Sequence, residues 1–228
     1  MIFGKIVRGK KLLLRAYRRF FRVSINTDLK KIMKLSDYVS QKVVELGVKH
    51  VFMVTGGGAM HLNHSFGTNK NLECIFNHHE QACAIGAEAY YRVNNELPLV
   101  NVTSGPGGTN AITGVYGAYV DSIGMVVLSG QVKWETTVRS TGLPLRQYGD
   151  QELDIEELVR PVTKYCHMVT DPKSIRYHLE KAFYLAKSGR PGPCWLDIPL
   201  DVQGAQIDPD SLVGFDPAEL EEPWKKSD

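Results

Sequence analysis

The sequence predicts an α/β fold, a doubly wound and mostly parallel sheet with helices on both faces. Short apolar runs such as HVFMVT, LPLVNVTS, GMVVLSG and PCWLDIP show little polar alternation, as strands buried on both faces require. Between them lie segments with apolar residues at helical spacing, and that strand-then-helix succession is the mark of parallel crossover units. With 228 residues, 43% hydrophobic and 23% charged, the chain is long enough for one large domain of this kind or two small ones.

The head, MIFGKIVRGKKLLLRAYRRFFRVS, stands apart from the rest. Residues 1–34 hold eleven Lys or Arg against one Asp, which leaves sixteen basic and twenty-four acidic residues downstream, so the body is acidic although the whole chain carries +2. Basic residues interrupt every long apolar window in the head, which excludes a signal-peptide core or a membrane span. A basic amphipathic helix in peripheral contact with an anionic membrane surface, one bound to an acidic partner, and an arm without a role all stay open. No nucleic-acid motif recurs in the body, so no nucleic-acid partner is expected.

From Leu35 the pattern becomes regular. LSDYVSQKVVELG reads as a helix capped by Ser36, with Val39, Val43 and Val44 on one face and a stop at Gly47. HVFMVT follows as a strand that ends in three glycines. LECIF leads into a helix over 80–93, LPLVNVTS leads through GPGGTN into a helix around 111–120, and GMVVLSG is the next strand. A helix over 152–159, a strand in TKYCHMV, a helix over 172–188 and the strand PCWLDIP complete a domain expected over residues 35–205. Residues 206–228, with their acidic, Pro-bearing GFDPAELEEPWKKSD, read as a linker or tail. Cys74, Cys83, Cys166 and Cys194 show neither a CxxC pair nor a metal-ligand spacing, which fits reduced thiols in a cytoplasmic protein and predicts no metal ligands in this chain.

In such sheets ligands collect beyond the carboxyl ends of the strands. Those ends read Thr55-Gly56-Gly57-Gly58, Asn77-His78-His79-Glu80, Ser104-Gly105-Pro106-Gly107-Gly108 and Ser129-Gly130-Gln131. The glycine loop is not a dinucleotide fingerprint, because Asn110 stands at the third glycine's place, and it lacks the Lys-Ser/Thr ending of a P-loop. No HExxH or GxSxG occurs, which removes the zinc and α/β-hydrolases.

VFMVTGGGAMH, NHHEQACAIGAEAYYR, VNVTSGPGGTNAITGVYGAYVDSIGMVVLSGQV and SGRPGPCWLDIPLDVQ resemble, in order and spacing, the amino-terminal pyrimidine-binding domain of thiamine-diphosphate enzymes of the acetolactate synthase group. The resemblance covers about residues 34–210. It implies that Glu80 is catalytic, sharing a proton with N1′ of the cofactor's aminopyrimidine so that the 4′-imine can take the proton from thiazolium C2. Desolvation at that place favours a neutral carboxyl and a helix N-terminus favours a charged one. By the same resemblance Thr55, Gly56, Gly57, Ser104, Gly105, Pro106, Gly107 and Asn110 contact the cofactor, Gln131 lies by the reacting carbon, and His79 and Gln151 face the substrate.

Departures from the family pattern bear on chemistry. Thr55 replaces a proline, Gly108 an alanine, and His78 stands where arginine is common. Asp150-Gln151-Glu152 lacks the Phe of the group's Phe-Gln-Glu, so the acceptor is less tied to a second pyruvate than the family label implies. Pyruvate or another 2-oxo acid is the expected substrate, in a transferase or lyase reaction. The Mg²⁺-binding diphosphate domain is not found in these residues and is expected from a partner domain or subunit. FAD, held by a separate domain in acetolactate synthases, finds no support in this chain. The small residues Ala82, Ala84, Gly86, Ala87 and Ala89 suit either a dimer interface or helix-on-sheet packing, and where the partner is absent an exposed apolar surface is expected on the helices over 80–92 and 108–121, with self-association as its consequence. The alternative reading is a non-catalytic relic, or a regulatory or interaction module, of the same fold.

Overall fold

A computed structural model describes residues 32–220; the expected helix of the basic head lies outside the described residues. Among the described residues eight strands are present: β1 (Met33–Lys34), β2 (His50–Met53), β3 (Glu73–Phe76), β4 (Leu99–Val102), β5 (Met125–Gln131), β6 (Tyr165–Met168), β7 (Pro193–Pro199) and β8 (Gln206–Ile207). The helices are α1 (Leu35–Glu45), α2 (Met60–Thr68), α3 (Glu80–Asn94), α4 (Pro106–Val120), α5 (Val138–Thr141), α6 (Ile155–Val159), α7 (Ile175–Lys187) and α8 (Leu200–Gly204). Six strands form one sheet in the order β3-β2-β4-β5-β7-β6, and every pair in it is parallel.

Side-chain alternation along each strand divides the interior in two. On one face Val51, Leu128 and Leu196 pack with Val39 and Val43 of α1, Phe66 of α2 and Leu179 and Phe183 of α7. On the other, Phe52, Val100, Val127 and Trp195 pack with Cys83 and Ala87 of α3, Val115 of α4 and Val159 of α6. Both faces are therefore covered, as the unbroken apolar strands require.

Three local features differ from the sequence reading. Helix α1 opens at Leu35 with Lys34 at its N-cap and no side-chain cap, while Ser36 is buried inside and accepts a hydrogen bond from Ser65 Oγ at 3.0 Å. Helix α4 begins at Pro106, so most of the glycine-rich stretch is its first turn. Residues 206–220 fold back on the body. β8 pairs antiparallel with β1, Phe215 N–H donates to Glu180 Oε2 at 2.9 Å, and Tyr177 Oη donates to Glu219 Oε2 at 2.9 Å. All four cysteines are free thiols. Among the described residues no helix is long and apolar enough to cross a membrane.

Candidate active site

Strand order reverses at β2, whose neighbours β3 and β4 lie on opposite sides, and the carboxyl ends of β2 and β4 therefore flank a crevice. Thr55, Gly56 and Gly57 leave β2 into it. The turn is held by side chains from its neighbours: Thr103 Oγ1 accepts from Gly58 N–H at 3.0 Å, and Asn63 Nδ2 donates to Gly56 O at 3.1 Å. Asn63 is in turn fixed by the buried Asn101, whose Nδ2 donates to its Oδ1 at 2.8 Å. A hydrogen-bonded frame thus holds the turn that follows Thr55. Thr55 and Gly57 are exposed at the rim.

The opposite wall is the start of α4. Ser104 is buried, and Gly105 has φ +54°, a left-handed conformation that favours glycine; a Cβ there would lie 2.3 Å from Gln151 O. Pro106 then supplies the preset φ of a first helical residue. A Cβ on Gly107 would meet Thr103 Cγ2 at 2.7 Å and Glu80 Oε1 at 3.6 Å, so the missing side chain keeps space beside that carboxyl. Glu80 opens α3, is 9% exposed, and accepts from Asn110 Nδ2 on Oε2 at 2.9 Å. Its Oε1 makes no hydrogen bond among the described residues. His79 is the N-cap of α3, with Nδ1 accepting from Gln81 N–H at 3.1 Å, and both His78 and His79 are exposed.

The segment before α6 lies against the start of α4. Glu152 is its hub, accepting from the N–H groups of Tyr148 at 3.0 Å and Gly149 at 3.1 Å, and from Val138 N–H. Gln151 has φ +54°, which leaves its side chain exposed while its carbonyl lies against Gly105. Behind it Arg139 pairs with Asp154 at 2.8 Å and Glu156 at 2.9 Å. Burial pushes the Glu156 carboxyl up, but hydrogen bonds from Arg139 and from Met168 N–H outweigh it and hold the group below its ordinary value.

Gln131 ends β5 but points inward. It is 1% exposed, its Nε2 donates to Leu153 O at 2.7 Å and to Asp197 Oδ2 at 3.0 Å, and its Oε1 accepts from Val132 N–H at 3.0 Å. Asp197 Oδ1 accepts from Ser129 Oγ at 2.5 Å, and Ser129 accepts from Trp195 Nε1 at 2.8 Å. Burial raises the Asp197 carboxyl to about 7 against the lowering effect of those hydrogen bonds. Sequence reasoning did not single out Asp197; the available signal was one carboxylate inside the apolar run PCWLDIP. The structure thus brings Glu80, Gly107 and Asn110 together, sets Gly105 against Gln151, and keeps the Gln131 amide apart inside the domain.

The residues fit the aminopyrimidine of thiamine diphosphate. A half-engaged carboxyl beside a wall stripped of side chains suits a flat heteroaromatic ring with a nitrogen to be protonated. Among the described residues no group of three or more His, Cys, Asp and Glu is arranged to hold a metal ion.

The family described as thiamine pyrophosphate enzyme, N-terminal TPP binding domain, matches residues 33–158. The acetolactate synthase large subunit of Buchnera aphidicola subsp. Acyrthosiphon pisum is 38% identical over 172 residues, which are 75% of this chain and 29% of that protein. The large subunit of acetolactate synthase isozyme 3 from Escherichia coli K12 is 40% identical over 167 residues, 73% of this chain and 28% of its own length. The chloroplastic acetolactate synthase of Arabidopsis thaliana is 34% identical over 173 residues, 75% of this chain and 24% of its own. This chain therefore spans less than a third of these relatives. The match runs from β1 through α6 and takes in the whole crevice, and the chain belongs to the thiamine pyrophosphate enzyme family, to its N-terminal TPP-binding domain.

Proposed function

We propose that the chain is the pyrimidine-binding half of a thiamine-diphosphate-dependent carboligase or decarboxylase. Its substrate is pyruvate or another 2-oxo acid, and a diphosphate-binding domain or subunit carrying Mg²⁺ completes the site. The observation that supports this reading best is Glu80, a carboxyl with Oε2 fixed by Asn110 and Oε1 facing the space beside Gly107. When bound, thiamine diphosphate supplies the acidic thiazolium carbon that adds to the carbonyl of a 2-oxo acid. Glu80 holds and returns a proton at N1′ of the aminopyrimidine, and Asn110 keeps the carboxyl turned toward the ring. Thr55, Gly56 and Gly57 offer backbone to one side of the cofactor; Ser104, Gly105, Pro106 and Gly107 form the other wall. His79 and Gln151, with exposed side chains at the rim, face the substrate. No role for FAD is proposed.

Calorimetric titration of the full chain with thiamine diphosphate and Mg²⁺, alone and with a diphosphate-binding partner, tests the reading. Binding and 2-oxo acid consumption are expected only with the partner. Glu80→Gln is expected to lower turnover by roughly 10²-fold or more, the usual scale for a lost proton-transfer group. Absence of binding in both states would leave the second reading, a non-catalytic interaction module. One observation favours that alternative, the exposed Ile85, Tyr116 and Val120 on α3 and α4.

A further inference from the structure

We infer that Gln131 is a positioning residue: held by Asp197, it latches the substrate-side loop 147–154 to the end of the sheet, and so sets where the backbone at Gln151 meets the start of α4. The inference rests on the cofactor reading for its catalytic meaning, but the latch itself is a matter of geometry.

Three facts converge on it. Every polar atom of the Gln131 amide is engaged inside the domain, with its two N–H donors spent on Asp197 Oδ2 and Leu153 O and its oxygen on Val132 N–H. An amide so committed has no donor left for a substrate unless it leaves Asp197 or Leu153. Leu153 is the last non-helical residue but one before α6, so its carbonyl is the point where the loop is tied to β5. Beyond that tie the loop is held from α5, by Arg139 pairing with Asp154 and by Val138 N–H donating to Glu152. Residues 142–148 are exposed, and the turn is held together by its own Glu152, which binds the N–H groups of Tyr148, Gly149 and Val138.

Asp197 is the fixed end of the latch. It is 1% exposed on β7, in register with Ser129 of β5, and Ser129 is in turn locked by the indole of Trp195. A buried carboxylate keeps its donors tightly, because losing one strands an acceptor away from water. The same chain of bonds therefore runs from the hydrophobic core, through Gln131, to the loop whose Gln151 carbonyl packs on Gly105. A one-residue shift of that loop would move Gln151 away from the crevice, so the latch acts on the acceptor side of the site and leaves Glu80 untouched.

The test is amide hydrogen exchange on the full chain. Gln131→Leu removes the latch at similar volume, and Asp197→Asn keeps an acceptor for Gln131 and a donor for Ser129. In Gln131→Leu the amides of Tyr148, Gly149 and Glu152 are expected to exchange at least about tenfold faster, while those of Ala84 and Ala87 in α3 keep their protection, as a local opening demands. Asp197→Asn is expected to stay within about threefold of the parent, since its hydrogen bonds can re-form. Loss of protection throughout, or wild-type rates at all three loop amides in a folded Gln131→Leu, would overturn the latch. Should that variant not fold, the side-chain amide protons of Gln131 in the parent decide the matter by NMR: slow exchange of both supports the latch, and the rapid exchange of an exposed glutamine refutes it. Thiamine diphosphate titration of the same samples, with Mg²⁺ and a diphosphate-binding partner, separates the two claims. A loop that loosens in a protein that never binds the cofactor removes the cofactor reading alone; binding without any loosening removes the latch alone.

Discussion

Asp197 receives its hydrogen bonds from two neutral side chains, Ser129 and Gln131, and burial lifts its carboxyl to about 7. His178 is displaced the other way. It stacks on His167 with ring centroids 4.0 Å apart, its Nδ1 lies 2.6 Å from Tyr165 Oη, and burial, then the charges of His167 and Lys181, hold it down to about 4. Glu156 opposes that shift without reversing it. Folding thus strengthens proton binding at Asp197 and weakens it at His178. The Asp197 contribution to stability is complete below its ordinary value of 3.8 and is lost as pH rises toward 7; that of His178 is complete above 6.5 and is lost as pH falls toward 4. Between about pH 4 and 6.5 the two oppose each other. Urea midpoints measured across that window should rise more steeply with pH in Asp197→Asn than in the parent, and less steeply in His178→Gln. Curves parallel to the parent in both variants would mean that neither group titrates as its surroundings dictate. The rim residues were legible in the sequence because each follows a strand end, and Glu80 stood out behind two histidines. His167 and His178 were not, because they are eleven positions apart and meet only when α7 packs on β6.

At the scale of elements, α3 and α4 lie closer than side chains on both would allow. A Cβ on Gly114 would stand 2.5 Å from Ala84 Cβ and 2.9 Å from Ile85 N, so backbone as well as side chain blocks it. Gly114→Ala should therefore cost about 1–3 kcal/mol in chemical denaturation, the range for overpacking a rigid contact. The comparison is Gly67→Ala in α2, where nothing lies within 4 Å and the φ is ordinary; there the gain in helix propensity should add roughly 0.5 kcal/mol. Equal effects at the two positions would show that propensity, not contact, governs α4. This packing explains what the sequence revealed and what it hid. Parallel strands covered on both faces have to be apolar throughout, so β2, β4, β5 and β7 announced themselves. The glycines that open α4 resembled a loop, because their low helix propensity conceals that they are there for close approach. Ser36 looked like a cap, yet the cap position falls two residues earlier at Lys34, and the Ser36 hydroxyl accepts from Ser65 instead. The ribbon of β1 and β8 is two residues wide, too short for any periodicity to register.

For the whole molecule, the open question is what covers the outer side of the α3–α4 pair. On α3, Ala82, Ile85 and Ala89 fall at helical spacing on one exposed face, with Ile85 46% accessible. On α4, Thr113, Tyr116 and Val120 do the same, with Tyr116 54% accessible. The charged groups nearest these stripes, Glu88, Arg92 and Asp121, are paired with one another, and paired apolar stripes of this sort mark association surfaces. The purified chain is accordingly expected to gain mass with concentration in light scattering, and Ile85→Lys with Tyr116→Lys to remain monomeric at unchanged helical content. A monomer at all concentrations in the parent would oppose the expectation. The placement of Glu80 gives the association a consequence for chemistry. Helix α3 begins with that carboxyl, so association on the α3–α4 face engages the element that carries Glu80. With the diphosphate-binding partner present, cofactor affinity should then rise with the concentration of the parent chain and stay flat in the lysine variants, because association and cofactor binding that act through one helix are reciprocally coupled.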